Sequence, residues 1–152
     1  MALIFENEST CSICNLILNK SRPYTMFPPF MGNKKDPMFI FSDNGIHNDC
    51  LNNHPFGKMA LLYREKYHED IGRLQFKKIE DLKKCIPFGL LTSDLKEDLS
   101  KFNFLTLGED DLKSWKEKDE FVNIVRRFIQ EGKWEGLTEF NYLDYLISKV
   151  TK

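Results

Sequence analysis

Cys11-Ser12-Ile13-Cys14 and His47-Asn48-Asp49-Cys50 are the two phrases that decide how this chain is read, because each sets a pair of soft ligands across a gap of two residues. A gap of two lets one tight turn aim both side chains at a single ion, and zinc takes thiolates and imidazoles in a tetrahedron. The two phrases together are read as one four-ligand zinc site: Cys11, Cys14, His47 and Cys50. Four protein ligands leave no position for water or substrate, so the expected ion is structural and no catalytic residue is assigned. His54, a gap of three beyond Cys50, is the competing fourth ligand. His47 is preferred because its gap mirrors the cysteine pair and it precedes a helix start. Three thiolates and a neutral imidazole around a divalent cation leave the cluster at minus one. Backbone N–H groups of the turn after Cys11 are therefore expected to point at the sulfurs.

Working outward, residues 1–9 have neither a basic start nor a long apolar run, so a reducing cytoplasm is the expected compartment. That setting favours metal-bound thiolates over a Cys11 to Cys14 disulfide. At 152 residues the chain can bury one ordinary core or two small ones that lean on each other. No apolar run approaches membrane-spanning length. With 22 basic against 23 acidic residues, the chain is not built mainly to grip phosphate backbones. Aromatics make up 13% of it, including 13 Phe, so ring-rich cores are expected. Cys85, outside the site, reads as a packed thiol.

Around the ligands, residues 3–5 and 15–18 read as short strands, the latter as the second arm of a hairpin carrying the first ligand pair. Tyr24-Thr25-Met26-Phe27-Pro28-Pro29-Phe30 holds two prolines that oppose helix and central strand alike. Met38-Phe39-Ile40-Phe41 reads as the clearest strand, closed at Asn44-Gly45 by a turn with positive backbone angles. His47 and Cys50 then fall on the first turn of a helix. Pro55 breaks or restarts it, and Phe56, Met59, Ala60, Tyr63 and Tyr67 recur with helical spacing.

A ligand pair on a hairpin facing a second pair on a helix's first turn is the layout of treble-clef zinc domains. Ile46-His47-Asn48-Asp49-Cys50-Leu51 resembles the His-x2-Cys half of LIM-type fingers, and Cys11 to Cys14 resembles their opening half, over about a third of the chain. The segment between the pairs is longer than in LIM domains, and no second cysteine set follows at once. The chain also looks like small uncharacterised bacterial zinc proteins with this knuckle, a Phe-Pro-rich segment and a Ser-Asp ahead of the His. These resemblances imply a fold and a ligand set, and no activity.

Sliding the chain along itself by 61 residues superimposes Phe27 on Phe88, Phe30 on Leu91, Asn33 on Asp94, Met38 on Leu99, Phe41 on Phe102 and Ile46 on Leu107. The four ligands then fall on Gly72, Gln75, Gly108 and Asp111, a set that binds no zinc. The expected architecture is α+β: a zinc-bound treble clef over residues 1–71, then a degenerate, metal-free copy with a C-terminal helix over 72–152. The copy is expected to be held by Ile79, Ile86, Phe88, Leu90, Leu91, Leu99, Phe102, Phe104, Leu105 and Leu107. One helix is expected to run from the acidic Glu109-Asp110-Asp111 to about residue 131, and a last one, capped by Thr138, to carry Phe140, Leu143, Leu146, Ile147 and Val150 as one apolar stripe.

The function these features point to is a non-catalytic, zinc-stabilised protein-binding or regulatory protein, expected to be bacterial. Its partner is another protein. Nucleic-acid binding is the disfavoured alternative, since Lys77-Lys78, Lys83-Lys84 and Arg126-Arg127 are interleaved with acids. Further behind is a treble-clef nuclease, for which His68 beside Glu69 and Asp70 is the candidate, and no phosphate-cradling or nucleophile motif appears.

Overall fold

A left-handed residue closes each of two hairpins, at Asp43 (φ 54°) and Phe104 (φ 59°), and these positions lie 61 residues apart. The computed structural model describes residues 3–75, 85–137 and 141–151, with the backbone alone for 71–75. In the first hairpin β1 (Tyr24–Met26) runs antiparallel to β2 (Gly45–His47), with Thr25 opposite Ile46. In the second, β3 (Cys85–Pro87) pairs with β4 (Thr106–Gly108), with Ile86 opposite Leu107. The segment inside each hairpin makes one 3₁₀ turn, Pro37–Phe41 and then Asp98–Phe102. Each hairpin feeds two helices: α1 (Asn48–Asn53) and α2 (Gly57–Gln75) after the first, α3 (Glu109–Ser114) and α4 (Lys118–Gln130) after the second. A final helix, α5 (Tyr142–Val150), packs on α4.

Each strand, 3₁₀ turn and helix of the second set, from β3 to α4, begins 61 residues after its counterpart in the first, so the mixed α+β chain contains two similar hairpin–helix units. The likeness extends to single hydrogen bonds. Phe27 N–H donates to the Asn44 carbonyl and Phe88 N–H to that of Leu105; Ser42 Oγ bonds both backbone groups of Met31, and the Asn103 amide bonds both of Thr92. The two cores are separate. Phe27, Phe30, Met38, Phe41, Ile46 and Leu51 anchor the first, and Phe88, Leu91, Leu99, Phe102, Phe121 and Val125 the second. The expected apolar stripe of α5 closes the second core with Leu143, Leu146 and Val150.

Several local expectations are overturned. Residues 38–41 are not a strand: Pro37 supplies a preset φ at the first turn, and the Asp36 carboxylate accepts from the Met38 N–H at 2.9 Å, which together start a 3₁₀ helix. Residues 3–5 form no strand with any of the described residues, and Leu3 is 83% exposed. β1 does form, ending before Pro28. The long helix expected from Glu109 is two, broken at Trp115 as the first pair is broken at His54. Leu90 joins the first core, beside its bridge partner Met31, and Phe104 packs there too. Asn141 caps α5, its Oδ1 accepting from Leu143 and Asp144; Thr138, Phe140 and Ile79 lie outside the described residues.

The units are joined by polar contacts as well as by the Met31 to Leu90 bridge. Asn33 Nδ2 donates to the Lys133 carbonyl at 2.9 Å while its Oδ1 accepts from Glu135 N–H at 3.0 Å. Asp36 accepts from both N–H and Oγ–H of Ser93.

Candidate metal centre

The first ligand pair sits on a knuckle. Cys11 N–H donates to the Leu16 carbonyl at 2.9 Å and Asn15 N–H to that of Cys11 at 2.8 Å, while Asn15 takes the left-handed conformation (φ 59°) that lets so tight a turn close. Thr10 and Ile17 bridge across it. The second pair comes from the junction of β2 and α1, where His47 is the last strand residue and Cys50 stands in the first turn of the helix. Asn48 N–H donates to the Pro23 carbonyl, fixing that junction beside the strand that leads in.

These elements bring together the side chains that the spacing selects. One ligand atom from each of Cys11, Cys14, His47 and Cys50 lies within 4.8 Å of every other, and Cys14 Sγ is 3.3 Å from His47 Nδ1. The donor set of three sulfurs and one nitrogen could hold one metal ion, plausibly zinc. A second observation agrees with that fit. The His47 ring is fully buried, its Nδ1 faces the sulfurs, and its Nε2 meets no hydrogen-bond partner. Nδ1 is thus the nitrogen placed to bind a cation among the sulfurs, while Nε2, on another edge of the ring, would stay unpaired with such a cation bound.

The surroundings favour negative sulfur at Cys14. The Cys14 thiol is drawn down to about 6, first by the Leu16 N–H and further by hydrogen bonds from His47 and the other two thiols. Cys50 moves the other way, to about 11, pushed by desolvation and by its closeness to the other sulfurs. Thiols this close share protons as a set, and a divalent cation would displace those protons.

Arg22 carries no spacing signal and was not legible as part of the site. Its Nη1 reaches Cys14 Sγ at 3.7 Å and its Nη2 reaches Cys50 Sγ at 3.5 Å, while Nε and Nη2 also donate to Asp49 at 3.2 and 2.5 Å. Asp49 is held below the usual carboxylate range by that guanidinium.

His54 stands apart from the cluster. Its ring packs edge-on against Phe41 at 5.0 Å and its Nδ1 accepts from the Phe56 N–H. Trp115, 61 residues on, packs edge-on against Phe102 in the same way at 5.7 Å, so the position is one that plugs a core. In the second unit the positions matching the ligands gather no metal site. Gly72 and Gln75 belong to the last turn of α2, and Asp111 Oδ2 accepts from the Gly108 N–H as a helix cap. Among the described residues, 72–75 of the second unit are helical where the first unit begins its knuckle.

The remaining candidates are scattered. His68 is an exposed residue of α2 whose ring meets Tyr67. Arg126 and Arg127 are exposed, and Arg127 pairs with Asp98; the two lysine doublets lie outside the described residues. No helix among the described residues is long and apolar enough to cross a membrane. Comparison with protein-family models, with curated proteins and with solved structures gave no match.

Proposed function

We propose that this chain is a non-catalytic, zinc-stabilised protein-binding or regulatory protein of the bacterial cytoplasm, with another protein as its partner. In this reading residues 1–71 form a treble clef around one structural Zn²⁺, and residues 72–152 form its degenerate, metal-free copy with an added C-terminal helix. The observation that carries it is the closure of the cluster: the knuckle, the end of β2 and the first turn of α1 together supply four ligand atoms mutually within 4.8 Å, enough for the coordination shell of a tetrahedral ion. Such an ion stiffens a scaffold and has no position left to activate water. Use of treble clefs for protein recognition is an analogy at the level of fold. The interleaving of Arg127 and Lys133 with Asp98, Glu97 and Glu131 supports a protein partner over nucleic acid.

The test is selective retention. A protein that stays bound to the wild-type chain at raised salt, and is lost from Cys14→Ser, supports the reading. Cleavage of DNA or RNA by the purified chain, abolished in His68→Ala, would overturn it, and so would nucleic-acid binding that weakens steeply with salt as the dominant interaction.

A further inference from the structure

We infer that Arg22 is the positioning residue that keeps the metal in the cluster, by tying the knuckle thiolate of Cys14 to the helix thiolate of Cys50. This rests on the zinc reading of the site and adds to it a residue outside the ligand set.

Arg22 is placed for this by its own backbone. It bridges Asn19 in a tight turn, where Asn19 Oδ1 also accepts from Ser21 N–H, and the next residue, Pro23, accepts from Asn48 N–H at the head of α1. The side chain thus starts from a fixed point between the knuckle and the helix. Asp49, the neighbour of Cys50, takes Nε and one edge of Nη2, which leaves Nη1 aimed at Cys14 and the other edge of Nη2 at Cys50. A planar fork with five N–H donors can serve a carboxylate and two sulfurs at once; an ammonium on a flexible stem cannot hold all three.

The chemistry follows from charge. A dication with three thiolates is left at minus one, and N–H donors disperse that charge on the sulfurs and make the loaded state cheaper to bury. The two sulfurs that Arg22 reaches belong to different ligand pairs, so the same side chain also holds the two half-sites at their loaded separation. Residues that support ligands in this way typically change metal affinity by about 10- to 100-fold when removed.

The experiment uses the full chain loaded with one equivalent of zinc, in wild type, Arg22→Ala, Arg22→Lys and Asp49→Asn. Zinc affinity is measured by competition with a chromogenic chelator, and the cobalt-loaded proteins are compared by their thiolate-to-cobalt charge-transfer band. Folding at saturating metal is checked by circular dichroism. The expected result is zinc binding weakened by roughly 10- to 100-fold in Arg22→Ala, less in Asp49→Asn, with only partial rescue by Arg22→Lys. The cobalt band should move to lower energy in Arg22→Ala, because sulfurs that lose N–H donors give up charge more readily. Zinc affinity within twofold of wild type and an unmoved band in Arg22→Ala would overturn the inference, and full rescue by Arg22→Lys would overturn the fork. A wild-type chain that takes up no zinc would instead remove the site itself.

Discussion

Asp36 and Ser93 are joined across the two units by two hydrogen bonds, from Ser93 N–H at 2.8 Å and Ser93 Oγ–H at 2.6 Å, while the same carboxylate starts the 3₁₀ turn at Met38. Both residues are buried. Hydrogen bonds to a charged group are worth about 1.5 to 3 kcal/mol, and a partner left unsatisfied adds to the loss. Asp36→Ala should therefore destabilise the chain by roughly 3 kcal/mol and Ser93→Ala by about 2 kcal/mol. A double-mutant cycle in urea should give a coupling of about 0.5 to 3 kcal/mol. Additive losses would mean that the units meet without help from this pair.

Metal removal should act on one unit more than the other. Structural zinc contributes about 10 to 16 kcal/mol of binding free energy in small fingers, comparable with the stability of a whole domain. Chelation, or Cys14→Ser, should unfold the first unit while the second survives in part, because the rings of Phe88, Phe102, Trp115 and Phe121 pack together without a ligand set. Hydrogen exchange followed by mass spectrometry should show protection lost over residues 9–53 and largely kept over 98–130. Equal loss in both halves would contradict this.

The second core should depend on Phe121 instead. Its ring lies 5.0 Å from those of both Phe88 and Phe102, at the repeat position that the first unit fills with Ala60. Phe121→Ala should cost about 3 to 5 kcal/mol, read from the shift of a urea midpoint, with zinc uptake by the first unit retained.

Gly57 links backbone packing to the metal centre. A Cβ there would stand 1.9 Å from the Leu51 carbonyl oxygen, so Gly57→Ala must push α1 away from α2, and α1 carries Cys50. The expected outcome is a loss of roughly 2 kcal/mol together with faster zinc release to a chelator. Unchanged release would show that α1 can shift without moving its thiolate.

Alkaline pH should weaken the second unit at Tyr142. Its hydroxyl donates to the Pro87 carbonyl, and burial, with Tyr145 adjacent, pushes its pKa up to about 12. The folded state therefore holds this proton more tightly than the unfolded chain. The contribution to stability is complete below about pH 10 and is lost as pH rises toward 12. Tyr142→Phe should flatten that decline in a stability-against-pH series.

The Cys/His cluster was legible because metal-ligand geometry writes itself into spacing: a gap of two is a local constraint that survives without knowledge of the fold. The repeat was legible for a similar reason, since buried positions such as Phe27 and Phe88 must stay apolar in both units. The 3₁₀ turn was hidden, because four apolar residues in a row suit a buried strand as well as a helical turn, and only the Asp36 cap and Pro37 decide between them. The break at Trp115 was hidden too. No proline marks it, yet the register that aligns it with His54 and Pro55 carried the information. Arg22 could not be read from the chain, because a guanidinium reaches its partners through folding and leaves no pattern in sequence.

The proposed rivet of the first unit is one ion held by Cys11 and Cys14 of the knuckle, His47 at the end of β2 and Cys50 in the first turn of α1. Metal analysis of the purified chain by mass spectrometry tests this most directly. One zinc per chain, falling to none in Cys14→Ser, is the predicted result; far less than one zinc per wild-type chain would contradict it.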